Sequence, residues 1–92
     1  MSVTAAKGFR AAGVAAGIKD SRARDVALVS GTRDLVAAAV FTNNRAAAAP
    51  VLVSREQLER RQTMRGVVLN SGCANAATGA QGIADARAMV NA

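Results

Sequence analysis

The sequence predicts a mixed α/β fold, and three observations carry that expectation. Several apolar runs have strand length and are bounded by Gly, Asn and Ser. Near the end, Ile83, Ala86 and Val90 recur at i, i+3 and i+7, the spacing of one helical face. Between these patterns lies Val67-Val68-Leu69-Asn70-Ser71-Gly72-Cys73-Ala74-Asn75-Ala76-Ala77-Thr78-Gly79, the most informative stretch of the chain. A short apolar strand stops at Asn70, a loop of small and amide residues follows, and Thr78-Gly79 opens a helix. Gln81, three residues after Thr78, completes a capping-box pattern.

The remaining elements follow in order. Residues 8–18 carry glycines at 8, 13 and 17, which argue against a helix despite the alanines and favour extended chain packed close to other backbone. Residues 19–24 are polar and read as a turn. A short strand over 26–29 and a longer one over 35–42 flank Ser30-Gly31-Thr32-Arg33-Asp34, which suits a hairpin loop. The small residues at 37–39 require something bulky, or a close helix, to cover the second strand. Asn43-Asn44-Arg45 breaks the pattern. After Pro50 a strand is expected at 51–53, and Ser54, with Gln57 at the box position, caps a helix to about residue 62. Residues 65–70 form the next strand. The last helix meets no C-cap glycine in Met89-Val90-Asn91-Ala92. The expectation is one partial domain over residues 1–92, the N-terminal piece of a longer polypeptide.

Composition bounds the function. A 92-residue chain buries only about 60–65% of its unfolded surface. The hydrophobic share is 51%, but much of it is Ala and the aromatics are Phe9 and Phe41 alone. Ala buries little area, so the core is expected to be thin. Twelve Lys and Arg against six acids give +6, without a run of five like charges. One Cys excludes an internal disulfide and fits a reducing compartment. No apolar run approaches a membrane span or a signal peptide, and the cytoplasm is the expected location.

The residue list also excludes chemistry. Without any His, neither a Ser-His-Asp nor a Cys-His system can be built from these residues. One Cys and scattered carboxylates leave no zinc-ligand pattern, and no metal site is expected. The phosphate-loop and dinucleotide glycine motifs are absent. Cys73, between strand and helix, invites a nucleophile reading, but with no base it reads as a small side chain in a turn. Asn75, Thr78 and Gly79 are the weak candidates for substrate binding, set against the ordinary use of Asn and Thr as turn and cap residues. Asn43 and Asn44 read as turn residues. Arg60, Arg61 and Arg65 read as a solvated face.

Several runs together resemble the bifunctional ornithine acetyltransferase (glutamate N-acetyltransferase) family. They are Lys7-Gly8-Phe9-Arg10-Ala11-Ala12-Gly13-Val14-Ala15-Ala16-Gly17-Ile18-Lys19; Asp25-Val26-Ala27-Leu28-Val29; Ala39-Val40-Phe41-Thr42-Asn43-Asn44-Arg45 with Ala49-Pro50-Val51; and Val68-Leu69-Asn70-Ser71-Gly72-Cys73-Ala74-Asn75-Ala76-Ala77-Thr78-Gly79. Their order and spacing match the family's N-terminal region over nearly the whole chain. The last two in sequence are the specific ones.

The resemblance implies a layered α/β sandwich similar to N-terminal-nucleophile hydrolases, incomplete here. It implies transfer of an acetyl group from N-acetylornithine to glutamate in arginine biosynthesis, with acetyl-CoA as a further donor in some members and no cofactor. In that family the precursor cuts itself at an Ala-Thr bond. The freed Thr is the nucleophile, its own amine is the base, and a Thr-Gly pair forms the oxyanion hole. The two chains stay together, as two α and two β. The resemblance puts the cleavage segment and the oxyanion pair beyond Ala92, and Thr78-Gly79 is not that pair. Cys73 stands where many members carry Asn. No catalytic residue is therefore assigned to this chain, which is expected to be scaffold.

Two rival readings are a small basic nucleic-acid-binding module, motivated by the charge, and a module binding an anion at the Gly79 helix start. Two Phe are a poor supply for base stacking. Nucleic-acid binding is accordingly expected to be weak and nonspecific. Titration with a random oligonucleotide across a salt series checks this: affinity should collapse as salt rises, and tight, sequence-dependent binding at high salt would contradict it.

Overall fold

The computed structural model describes residues 3–72 and 78–92. After a single 3-10 turn at Val3–Ala5 the elements run β1 (Phe9–Val14), β2 (Val26–Val36), α1 (Ala49–Arg60), β3 (Thr63–Asn70) and α2 (Gly79–Asn91). The mixed α/β class read from the sequence is what the chain adopts. Two compact units share these elements.

The first unit comprises residues 1–35 and 65–74 and holds the sheet, in the order β1-β2-β3. β1 and β2 are antiparallel, with Phe9 opposite Gly31, Ala11 opposite Val29 and Val14 opposite Val26. The glycine-rich N-terminal run is thus extended, as its composition requires. Gly66 shows why a residue without a side chain sits inside β3: a Cβ there would lie 2.9 Å from the Val29 carbonyl oxygen on β2. Residues 19–24 turn between β1 and β2, with Arg22 in the left-handed region at φ 59°.

The expected hairpin loop at residues 30–34 is not formed. β2 runs straight through it to Val36, and residues 37–44 lie outside any strand. The reason is pairing: Ser30 and Gly31 face Arg10 and Phe9 in the ladder, and the Thr32 N–H donates to the Gly8 carbonyl at 2.9 Å. Satisfied backbone outweighs turn propensity.

The second unit comprises residues 36–64 and 75–92 and holds the helices, which pack on one another. The strand expected at 51–53 is a correction, and so is the Ser54 cap. α1 begins at Ala49, with Ala48 at the N-cap and Pro50 in the first turn, and it ends at Arg60. Pro at that position loses no helical hydrogen bond and its fixed φ suits the helix, so it opens α1 where the sequence reading placed a strand just after it. Val51 and Val53 then lie on helix rather than strand, and Val53 is the most buried core residue, at 2% exposure. Glu56 joins the helices: it accepts from Arg60 one turn on at 3.2 Å and from the Arg87 guanidinium of α2 at 3.2 and 3.3 Å. α2 follows its expected face in part: Ile83 and Ala86 are half-buried, while Val90 is exposed. No helix among the described residues is long and apolar enough to cross a membrane.

The thin core is real. Ala49 and Val53 are the buried apolar residues among those described, while Val14, Leu28, Val67 and Leu69 on the sheet stay exposed. A fold of this size has on the order of 3–5 kcal/mol to spare at best. The isolated chain is therefore expected to unfold over a broad urea range, and a sharp cooperative transition of a monomer would contradict this.

Candidate functional site

Asp25 is the most constrained polar residue described. It sits at the end of the turn before β2 and is 3% exposed. Its carboxylate accepts three backbone N–H groups of one loop: Ala16 on Oδ1 at 2.6 Å, and Ile18 and Lys19 on Oδ2 at 2.7 and 3.0 Å. Its own N–H donates to the Val14 carbonyl at 3.0 Å, and its carbonyl accepts the Ser71 N–H at 2.9 Å. Ser71, the first residue after β3, is thereby pinned to the turn after β1. Gly72 continues that contact at φ +88°, where a Cβ would collide with the Lys19 stem. The N–H groups of Ala16 and Lys19 hold the Asp25 carboxyl below the ordinary carboxylate range; desolvation opposes them, and the N–H groups of Ile18 and Asp25 add to the lowering. Nothing in the sequence reading singled out Asp25. The available signal was an acceptor side chain closing a Gly-containing turn just before a strand.

The sequence candidates fare differently. Thr78 and Gly79 stand at the start of α2, both exposed. The capping box is a correction. Thr78 is already in the right-handed helical region, at φ −93° and ψ −4°, and its side chain makes no cap hydrogen bond. It lies instead against Gly82, where a Cβ would clash with it, and its carbonyl accepts the Gly82 N–H at 3.3 Å. Gln81 donates forward to Asp85 at 2.8 Å rather than back to the cap. Cys73 and Asn75 lie outside the described residues. Asn44 is a turn residue: its Oδ1 accepts the Ala46 N–H at 2.9 Å, and its N–H donates to Thr42 Oγ1 at 3.2 Å. Ser71 contributes its backbone to Asp25, as above. Among the described residues no three His, Cys, Asp or Glu are grouped to hold a metal ion. Among the described residues the arrangement is a turn held on one carboxylate, with Ser71 tied to it.

The ArgJ family profile matches residues 10–92. The chain belongs to the ArgJ family. It is 61% identical over 88 residues to the arginine biosynthesis bifunctional protein ArgJ of Thermobifida fusca, which covers 95% of this chain and 23% of that protein. It is 53% identical over 92 residues to the mitochondrial ArgJ of Ajellomyces capsulatus, covering 96% of this chain and 20% of that protein. An ornithine acetyltransferase from Mycobacterium tuberculosis, solved with ornithine, superposes with a TM-score of 0.87 at 56% identity, over 94% of this chain and 45% of that one. The Bacillus halodurans ArgJ structure superposes with a TM-score of 0.89 at 38% identity, over 97% of this chain and 46% of that one. The fold is thus that of the matching part of ornithine acetyltransferases, the N-terminal-nucleophile-hydrolase-like class that the resemblance implied. The chain spans about a fifth of the length of the curated relatives it matches.

Asp25→Asn tests the clasp. The amide presents N–H where the carboxylate accepts, so the variant should be less stable at neutral pH. Because the folded carboxyl is held below its ordinary value of 3.8, its stabilising contribution is fully present above that value. It is lost as pH falls through the lower folded value. Unfolding followed against pH should show the two proteins diverging above pH 3.8 and converging in acid. A constant gap at every pH would assign the loss to something other than the charge.

Proposed function

We propose that this chain is the N-terminal part of an acetyltransferase of arginine biosynthesis, moving an acetyl group from N-acetylornithine to glutamate. The observation that carries the reading is the continuous match over residues 10–92, joined to the superposition on an ornithine acetyltransferase that was solved with ornithine.

In this reading the present residues are scaffold. The nucleophilic Thr, freed by cleavage of an Ala-Thr bond, and the oxyanion Thr-Gly pair come from the rest of the polypeptide. The Thr Oγ attacks the acetyl carbonyl while the Thr amine accepts its proton, and ornithine leaves. Glutamate's amine then attacks the acetyl-Thr ester and regenerates the hydroxyl. His is dispensable because the nucleophile carries its own base, which agrees with a chain that has none. The tetrahedral oxyanion in each half-reaction is met by fixed donors, a contribution of about 3–4 kcal/mol per donor in comparable sites. The partners are the remaining α segment and the β chain, assembled as two of each. No cofactor is required, and acetyl-CoA is a second acetyl donor to be tested. The compartment proposed is the cytoplasm; the Ajellomyces capsulatus relative is named as mitochondrial.

The test is an assay of N-acetylornithine with glutamate, on this chain alone and on it joined to the ArgJ remainder. The chain alone should give no turnover above buffer, and the completed protein should transfer acetyl groups. A completed, self-cleaved protein without transfer would sink the reading. In that completed protein Cys73→Ala should leave kcat/KM within about threefold, since a thiol without a base contributes nothing to a Thr-centred mechanism. A loss of orders of magnitude in folded, cleaved protein would reassign the residue.

A further inference from the structure

Residues 35–42 are an extended strand signal without a strand. Leu35, Ala37 and Phe41 are half-buried, whereas Val36, Ala38, Ala39 and Val40 are exposed. Val36 and Val40 reach 89% and 98%. The half-buried residues all share the odd-numbered side, as on a pleated strand, with Ala39 the exception, and β-branched and aromatic residues lie at the ends. Yet β2 stops at Val36, and no backbone hydrogen bond joins residues 37–41 to any described residue. The far end is held in place. Arg55 of α1 donates to the Thr42 carbonyl at 3.2 Å and lies 5.3 Å from the centroid of the Phe41 ring. Between these fixed ends the segment borders an open, mainly apolar groove, whose other wall includes Leu58, Arg61 and Thr63.

A row of unpaired N–H and C=O groups flanked by exposed valines is a template for strand addition. We propose that residues 36–41 are a docking edge for an extended apolar strand from the remainder of the ArgJ polypeptide. The curated relatives are four to five times as long as the matched region, which is 20–23% of their length. More than half of each solved neighbour's chain has no counterpart here, since coverage of those chains is 45% and 46%. The matched region superposes on those longer neighbours with TM-scores of 0.87 and 0.89. A second copy of this chain is the poorer occupant, because each copy carries +6 and like charge opposes self-association. The proposal rests on family membership and not on acetyl transfer.

Hydrogen exchange tests it. The 92 residues replace the matching segment of the Thermobifida fusca relative, and exchange at residues 37–41 is compared between this chimera and the isolated chain. Pairing should slow exchange there by at least about 100-fold, as for amides that open only sub-globally. The parent relative gives a second reading, since its aligned amides should be equally protected. Free exchange at these positions in folded chimera or parent overturns the proposal. Failure of the chimera to fold where the parent folds also overturns it. Protection of the isolated chain that rises with its concentration assigns the edge to a second copy and overturns it too. Protection without acetyl transfer would remove the functional reading and leave this one standing.

Discussion

The sheet unit depends on one carboxylate. Asp25 draws the N–H groups of Ala16, Ile18 and Lys19 onto its two oxygens, and the same residue's backbone reaches both Val14 and Ser71. A turn rich in small residues has little side-chain area to hold its shape, so charge-assisted hydrogen bonds replace packing there. Ser71 and Gly72, just past β3, take their position from that turn. An apolar residue in place of Asp25 would take the acceptor from three part-buried N–H groups, and whatever part of each stays shielded from water would count as a loss.

Elsewhere the chain is short of apolar contact. Ala supplies much of the hydrophobic fraction, and the sheet faces keep Val14, Leu28, Val67 and Leu69 in solvent. The helix pair compensates in part with Glu56, shared by Arg60 and Arg87. Arg60 is 68% exposed, and such surface pairs contribute only a few tenths of a kcal/mol each, to about 1 at most. A scaffold of this kind gains most of its stability from what it is built into.

The sequence made some of this legible and hid the rest for identifiable reasons. β1, β3 and α2 were readable because glycine spacing, apolar runs and the Ile83–Ala86 period are local signals. The continuation of β2 through Ser30-Gly31 was not, because it depends on partners twenty residues away on β1. α1 was misplaced because Val51, Leu52 and Val53 after Pro50 look like a short strand, while a helix start uses the same proline. At the candidate site, Thr78 looked like a cap, yet a residue already in helical conformation cannot turn its hydroxyl back to the first turn. Asn75 lies outside the described residues. Asp25 escaped notice because a carboxylate's value as an acceptor is visible only once the loop around it is folded. The family resemblance was legible because four ordered runs constrain identity more tightly than any one of them constrains shape.

The two units are interleaved along the chain. Residues 1–35 wait for 65–74, and residues 36–64 wait for 75–92. During synthesis the first segment therefore leaves the ribosome as an incomplete sheet, and α1 follows it without its partner helix. The sheet unit can close once β3 and Ser71 have emerged, while Glu56 still lacks Arg87. Closure is thus ordered in time, sheet before helices, at the vectorial pace of about 5–20 residues per second. Each closure also bridges a long intervening segment, which slows folding relative to a chain with local contacts. A pause in translation that leaves Ser71 outside the ribosome and Arg87 still inside it would hold the nascent chain in the half-closed state, with its helical segment open to chaperones.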